Sequence, residues 1–337
     1  MDWATIFEFR QKLDLGTFIT CSCIGLLGII ANITAFRGFQ KQTKKTSTSF
    51  LFQSLAVADV CVLITVCPEI LLQYFSYESW FRNYNYKFFI FLTIWTGLAE
   101  TAILSTNGIT VLLTVTRFIA VCFPLHTSRL CSTKRVKLYL AATISISIGF
   151  NLPFMLIYLL FDLDLLNTQT LYAVVGYLDI FKPIMFCIIP LLIITVLTII
   201  LIVKLKILNQ HRQAIRCTNR PRSNATQVLI VVNIVFVVCT LPWPLLGILR
   251  RFGLNYLNYI SIIVQDSIAF CHTVNSSVNF LIYTLLSKQY RDVVIQNCRC
   301  LHSRQENISM TANIKTAGMI RAKREKTGKS AGVQGAL

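Results

Sequence analysis

Charged side chains are scarce in this chain. Asp, Glu, Lys and Arg make up 14% of its 337 residues, against roughly 25% in an ordinary soluble protein. Acids are the rarer sign, 14 against 32 Lys and Arg. So little charge cannot solvate a soluble domain of this size. With 55% hydrophobic residues and a mean hydropathy of +0.62, the composition is that of a polytopic helical membrane protein. Also lacking are an internal repeat, a glycine-rich phosphate loop, a nucleophile beside a base and a cluster of metal ligands, the usual starting points for an enzyme. Cys298-x-Cys300-x-His302 comes nearest to a zinc pattern, but no fourth ligand is close in sequence, and structural zinc takes four. The cysteines do not form a disulfide framework either. Most lie in apolar runs, at Cys21, Cys23, Cys61, Cys67, Cys187, Cys239 and Cys271, where they act as small buried hydrophobes.

What is present is length of apolar sequence. Seven runs, Leu15–Phe36, Ser49–Tyr74, Phe88–Phe123, Lys137–Phe161, Ile180–Ile207, Ala225–Leu249 and Tyr259–Leu286, each reach the ~20 residues that cross a bilayer as a helix. The first is too long for a signal-peptide core and no small-residue cleavage site follows it, so it reads as a retained span behind a very short N-terminus. The organisation expected is residues 1–14 as an extracellular terminus and 15–286 as an all-α, seven-transmembrane helix bundle. Residues 287–300 follow as a short amphipathic eighth helix, and 301–337 as a disordered basic cytoplasmic tail.

The net charge of +18 follows topology rather than nucleic-acid binding. Lys and Arg gather in the loops after the first, third and fifth spans and in the C-terminal segment, as at Lys44, Arg135, Arg216 and Lys323. The opposite side carries only Arg10, Lys12, Arg82, Lys87, Lys182, Arg250 and Arg251. Basic loops stay in the cytoplasm, which puts the N-terminus outside and the C-terminus inside.

The third run carries polar residues in order. Glu100, Asn107, Thr110, Thr114 and Arg117 are spaced by seven, three, four and three, so they share one face of a helix. A spanning helix turns such a face toward protein or water, and this helix is expected inside the bundle. Asp59 lies mid-span in the second run and Asn32 in the first. In the seventh, His272, Ser276, Asn279 and Tyr283 share a face. Interhelical hydrogen bonds worth about 1 kcal/mol or less each are the structural reading of such residues. An ionised Asp59 additionally needs a cation or a proton.

In order along the chain stand Asn32, Leu55-Ala-Val-Ala-Asp59, Arg117 with Ala120-Val121 and Pro124-Leu125, Pro190, and Phe236-Val-Val-Cys239-Thr-Leu-Pro242. Asn275-Ser-Ser-Val-Asn279-Phe-Leu-Ile-Tyr283 completes the set. Seven spans carrying these motifs resemble the rhodopsin-like (class A) G-protein-coupled receptors, and the seventh-span form is similar to that of FMRFamide-type neuropeptide receptors. The departures are specific. Thr116 stands where an acid precedes the third-span Arg, Thr240 where a Trp precedes Leu-Pro, and Phe280 where a Pro is expected. Neither the start of the third span, around Leu92, nor the 162–179 loop has a Cys, so the family's outer disulfide cannot form.

The resemblance implies roles. Arg117, Pro124 and Leu125 would engage a heterotrimeric G protein, with arrestin as a further partner. Pro190, Phe236, Pro242, Asn279 and Tyr283 would act as activation switches. Asp59, Thr106, Asn275, Ser276 and Asn279 would hold a sodium ion, since oxygen ligands suit a hard cation; a protonated Asp59 without an ion is the other reading. No other cofactor is implied. Cys298 and Cys300, after an amphipathic segment, are palmitoylation candidates, and the basic tail faces solvent or anionic membrane lipid.

For the ligand, Glu69, Glu100 and Asp266 are expected to converge with Trp243 on one outer cavity. No Lys or Arg lies near these acids on their own helix ends. Such a cavity suits a cation, above all the planar fork of Arg, and an Arg-Phe-amide peptide end would fit. The expected protein is a plasma-membrane receptor for a short cationic neuropeptide. A chemosensory receptor for a small external molecule is the alternative within the fold. A transporter is the alternative outside it, although the broken helices and repeats of transporters are missing.

Overall fold

The computed structural model describes residues 3–41, 46–82, 86–162, 165, 167, 169, 181–214, 224–245, 259–286 and 291. Within them run α1 (Trp3–Gln40), α2 (Ser47–Arg82), α3 (Tyr86–Cys122), the short α4 (Pro124–Leu130), α5 (Thr133–Asp162), α6 (Ile189–Ala214), α7 (Asn224–Thr240) and α8 (Tyr259–Leu286). All seven expected spans are helical where described. Among the described residues, six helices are long and apolar enough to cross a membrane. The seventh, α8, is 28 residues, about 42 Å at 1.5 Å per residue. Its hydropathy is lowered by Asp266 and by the polar residues His272, Asn275, Ser276 and Asn279. The chain is a multi-pass, all-α membrane protein.

Chain chemistry sets the breaks. Thr46 caps α2, its Oγ1 accepting from the Ser49 amide at 3.1 Å, one of the donors a helix start leaves unpaired. Pro124 opens α4 at a position where its missing N–H costs nothing. Pro190 cannot donate to the carbonyl four residues earlier. The chain answers with one π turn at Ile184–Ile188, and the Ile189 amide reaches back to the Ile184 carbonyl. In the sixth span α7 ends at Thr240, just before Pro242. Pro244 would deprive the Thr240 carbonyl of its helical donor, and the Cys187 thiol takes that place at 3.5 Å. This thiol ties the fifth span to the sixth.

α3 is the axis. It packs on α2, α5, α6 and α7, and 56% of its apolar stretch is buried, against 17–44% in the other five candidate spans. Asn107, Thr110 and Thr114 are all buried, as the polar face requires. On the far side α1 packs against α2 and α8. There the Asn32 amide donates to the Gly28 carbonyl at 2.9 Å and across to the Ser276 carbonyl at 2.7 Å.

Residues 3–14 are helical. The helix does not begin at the apolar run: α1 is continuous from Trp3. Arg10 pairs with Asp14 one turn on, at 3.6 Å, and both side chains are buried, so the first turns pack on the bundle. The proposed amphipathic segment 287–300, the tail 301–337, Cys298 and Cys300 lie outside the described residues, apart from residue 291.

Close helix contacts rely on missing side chains, as is usual where lipid supplies no hydrophobic drive. A Cβ at Gly28 would meet Ser277 Oγ at 2.3 Å and Leu63 Cδ1 at 2.8 Å, and one at Gly108 would meet Thr143 Cγ2 at 2.3 Å. At Gly149 nothing lies within 4 Å. Gly28→Ala should therefore lower the melting temperature of the purified chain, costing about 1–3 kcal/mol from overpacking. Gly149→Ala should leave it unchanged or raise it through helix propensity. Equal effects at the two sites would show that α1 and α8 do not meet at Gly28.

Candidate functional site

At one end of α3, Glu100 is an anion with a fixed cation. Lys182, at the head of the fifth span, places its Nζ 2.6 Å from Glu100 Oε2. The same ammonium sits 3.9 Å above the Phe154 ring, and Phe150 stacks on Phe181 beside it. Asn151 completes the arrangement. With its amide nitrogen turned to the carboxylate it donates to Oε2 at 3.1 Å, while its oxygen accepts from Thr101 Oγ1 at 3.2 Å. Glu100, Leu104, Asn151, Lys182 and Trp243 line one cleft. Trp243 lies edge-to-face with His272 of α8, ring centroids 6.0 Å apart.

Of the four residues expected around one cavity, this cleft brings together two. Glu100 and Trp243 do share a cleft, but Glu69 and Asp266 are not among its described lining residues. Asp266 is engaged by α1, where Thr17 Oγ1 donates to its Oδ2 at 2.7 Å. Arg10 donates to the neighbouring Gln265 at 3.2 Å. Glu69 is half-buried on α2. Nor is Glu100 unneutralised. Lys182 comes from a different span, so proximity along the sequence could not reveal it.

Midway along the bundle Asp59 is fully buried. Asn279 Nδ2 donates to its Oδ2 at 2.7 Å, and Ser276 is buried one turn earlier on the same helix. The other carboxyl oxygen, Asp59 Oδ1, and Thr106 Oγ1 are buried without a hydrogen-bond partner. Asn275 is buried on the same helix as Ser276 and Asn279. Phe236 and Tyr283 are buried too. The Tyr283 ring packs edge-on against Phe39 at 5.4 Å and Phe52 at 5.1 Å, joining α8 to α1 and α2.

At the other end stands Arg117, about 25 Å from Glu100 at 1.5 Å per residue. Its Nε is buried without a hydrogen-bond partner, and no carboxylate pairs with it among the described residues. Thr116 carries no charge to offer it, and its hydroxyl donates to the Leu113 carbonyl at 2.9 Å. Burial pushes the Cys131 thiol pKa up, opposed in part by the nearby Arg117 guanidinium. Beyond Arg117, α4 projects Leu125, 90% exposed. The base of that turn is pinned, with Ser47 Oγ donating to the Cys131 carbonyl at 2.7 Å. A pinned helix thus holds an apolar side chain in the open, eight residues along the chain from the half-buried Arg117.

Known proteins are similar to this chain in sequence. The family model of serpentine 7TM chemoreceptors of the Srw type matches residues 162–301. The FMRFamide receptor of Drosophila melanogaster is 28% identical over 299 residues, covering 82% of this chain and 52% of that protein. Neuromedin-U receptor 2 of Rattus norvegicus is 26% identical over 323 residues, 88% of this chain and 79% of the relative. Galanin receptor 2a of Danio rerio is 25% identical over 288 residues, 80% and 74%. The chain is similar to these receptors at 25–28% identity. It spans about half the length of the Drosophila receptor, and these relatives are receptors rather than enzymes. Lys182 and Asn151 are the cleft residues that the receptor motifs did not reveal. Lys182 had one visible signal: it is a lone cation at the start of an apolar run, where only a partner could keep it.

Proposed function

We propose that the chain is a plasma-membrane receptor that binds an extracellular peptide at the Glu100 cleft and signals through a heterotrimeric G protein at the Arg117 end. The observation that carries this reading is the two-ended character of α3. One end lines a cleft with charges and aromatic edges, and the other holds Arg117, with the exposed Leu125 following on α4. The Lys and Arg asymmetry of the loops puts the first end outside and the second in the cytoplasm. Three neuropeptide or peptide-hormone receptors among its relatives, for FMRFamide, neuromedin U and galanin, support a peptide. A small external molecule is the second reading, favoured by the chemoreceptor match over residues 162–301.

The ligand reading is finer than a cation in an acidic hole. An Arg side chain would have to take Glu100 from Lys182, offering two parallel donors in place of one ammonium. The ligand's aromatic ring would lie against Trp243. A screen of synthetic neuropeptides on cells expressing the chain with promiscuous G proteins tests the receptor itself. With an Arg-Phe-amide hit in hand, Glu100→Gln should weaken binding about tenfold or more and barely affect the citrulline analogue. Lys182→Met should tighten the Arg peptide, because the competing cation is gone. Dissociation constants at fixed salt decide. Equal losses for both peptides, or a Lys182→Met loss specific to the Arg peptide, would refute the pairing.

The residues around Asp59 fit a sodium ion. Two orphaned buried oxygens, Asp59 Oδ1 and Thr106 Oγ1, are the kind of donors a hard cation takes, with Asn275, Ser276 and Asn279 on the adjoining face. When bound, the ion would supply the positive charge that a buried carboxylate needs. The protonated Asp59 reading makes the opposite prediction about salt. At equal ionic strength, sodium in place of choline should raise the melting temperature with the logarithm of its concentration. Asp59→Asn should abolish that rise. A wild-type chain indifferent to sodium would favour the protonated acid.

A further inference from the structure

α7 is apolar almost throughout. From Val228 to Val238 its one polar residue is Asn233, and that side chain is buried, 1% exposed. Its amide nitrogen donates to Thr198 Oγ1 of α6 at 2.8 Å and to Thr114 Oγ1 of α3 at 3.1 Å. Thr114 has one hydroxyl proton. The Thr110 carbonyl, at 2.8 Å, takes it in preference to Asn233 Oδ1 at 3.2 Å. Both amide protons of Asn233 are therefore committed, one to each neighbouring helix. Thr114 and Thr198 are buried as well.

The packing around this amide is uneven. α7 lies mainly along α8 and α6 and touches α3 at few points. The polar tie is thus concentrated where the apolar contact is thin. An amide in an apolar bundle has no water to turn to, so each proton released without a substitute leaves a costly unpaired donor. The two protons share one nitrogen. Drawing α7 away from α3 strains both bonds together, which makes the contact two-state rather than gradual.

We propose that Asn233, Thr114 and Thr198 form a neutral latch that sets the resting position of α7 against α3 and α6. It supplies the restraint that Arg117, with no acid at Thr116, cannot. The three are positioning residues. The latch itself stands on the packing alone, and its link to signalling rests on the receptor reading. A neutral amide also holds α7 independently of pH and salt, as an ion pair at the membrane edge would not.

The test uses the full chain in lipid nanodiscs and needs no ligand. Asn233→Leu removes the amide. Thr198→Val is the milder variant should Asn233→Leu fold poorly. Hydrogen exchange of residues 224–232 should rise at least about fivefold in either variant, the factor that corresponds to one net hydrogen bond of about 1 kcal/mol. Exchange in α2 and α8 should stay at the wild-type level. Adding Thr114→Val to Asn233→Leu should change little, because the bond is already gone. Ligand-free nucleotide exchange on a panel of purified heterotrimeric G proteins should rise with the opening. Exchange in α7 that matches wild type in both variants overturns the latch, and so does a rise spread evenly over all helices. A rise confined to α7 with G-protein nucleotide exchange flat throughout supports the latch and defeats the receptor reading.

Discussion

A hydrogen-bonding group in an apolar slab has no water to fall back on, and α3 carries five such groups on one face, from Glu100 to Arg117. The rest of the bundle is arranged to meet them. Lys182 and Asn151 answer Glu100 from the fifth and fourth spans. Asn233 answers Thr114 from the sixth. The α2 side meets α3 differently, through Trp95, whose indole N–H donates to the Thr65 carbonyl at 2.8 Å. Each of these bonds fixes a helix to the axis, and each is worth little alone. Together they define which helix neighbours which.

The axis is not satisfied evenly. Near Glu100 the described charges, Glu100 and Lys182, are paired with each other before any ligand arrives. A ligand there must exchange one charge contact for another, which favours selectivity over raw affinity. At Arg117 the side chain is half-buried and its Nε is buried without a hydrogen-bond partner among the described residues. Such a group is costly to leave in place and is relieved by a partner that supplies carbonyl or carboxylate oxygens from outside. The two ends therefore suit opposite tasks, one guarding a resting contact and the other waiting for a new one.

Much of this is legible in the chain. Apolar run lengths locate all seven spans, and the seven-three-four-three spacing on the third locates the buried face, because both follow from helix geometry. Proline positions foretell breaks at Pro190 and Pro242 for the same reason. Contacts between spans are harder to read. In sequence Lys182 is one of a few outer-side cations, and its pairing with Glu100, 82 residues away, depends on how the fifth span is set down. The same holds for Asp266, which α1 captures through a terminus too short in sequence to promise a packed helix. Asn233 is a lone amide in an eleven-residue apolar stretch and lies outside every receptor motif. A single polar residue in such a run is itself a signal, since nothing else in its helix can pay for its burial.

If α3 links a ligand cleft to a docking surface for a G protein, the exposed side chain beside Arg117 must be part of that surface. The direct measurement is co-purification of the full chain in nanodiscs with a panel of nucleotide-free heterotrimeric G proteins, for wild type and Leu125→Asp. Leu125 is 90% exposed and buries nothing, so its replacement leaves the bundle intact. The account predicts that at least one heterotrimer is retained by the wild-type chain and lost with Leu125→Asp. Retention of none, or retention undiminished by the substitution, would contradict it.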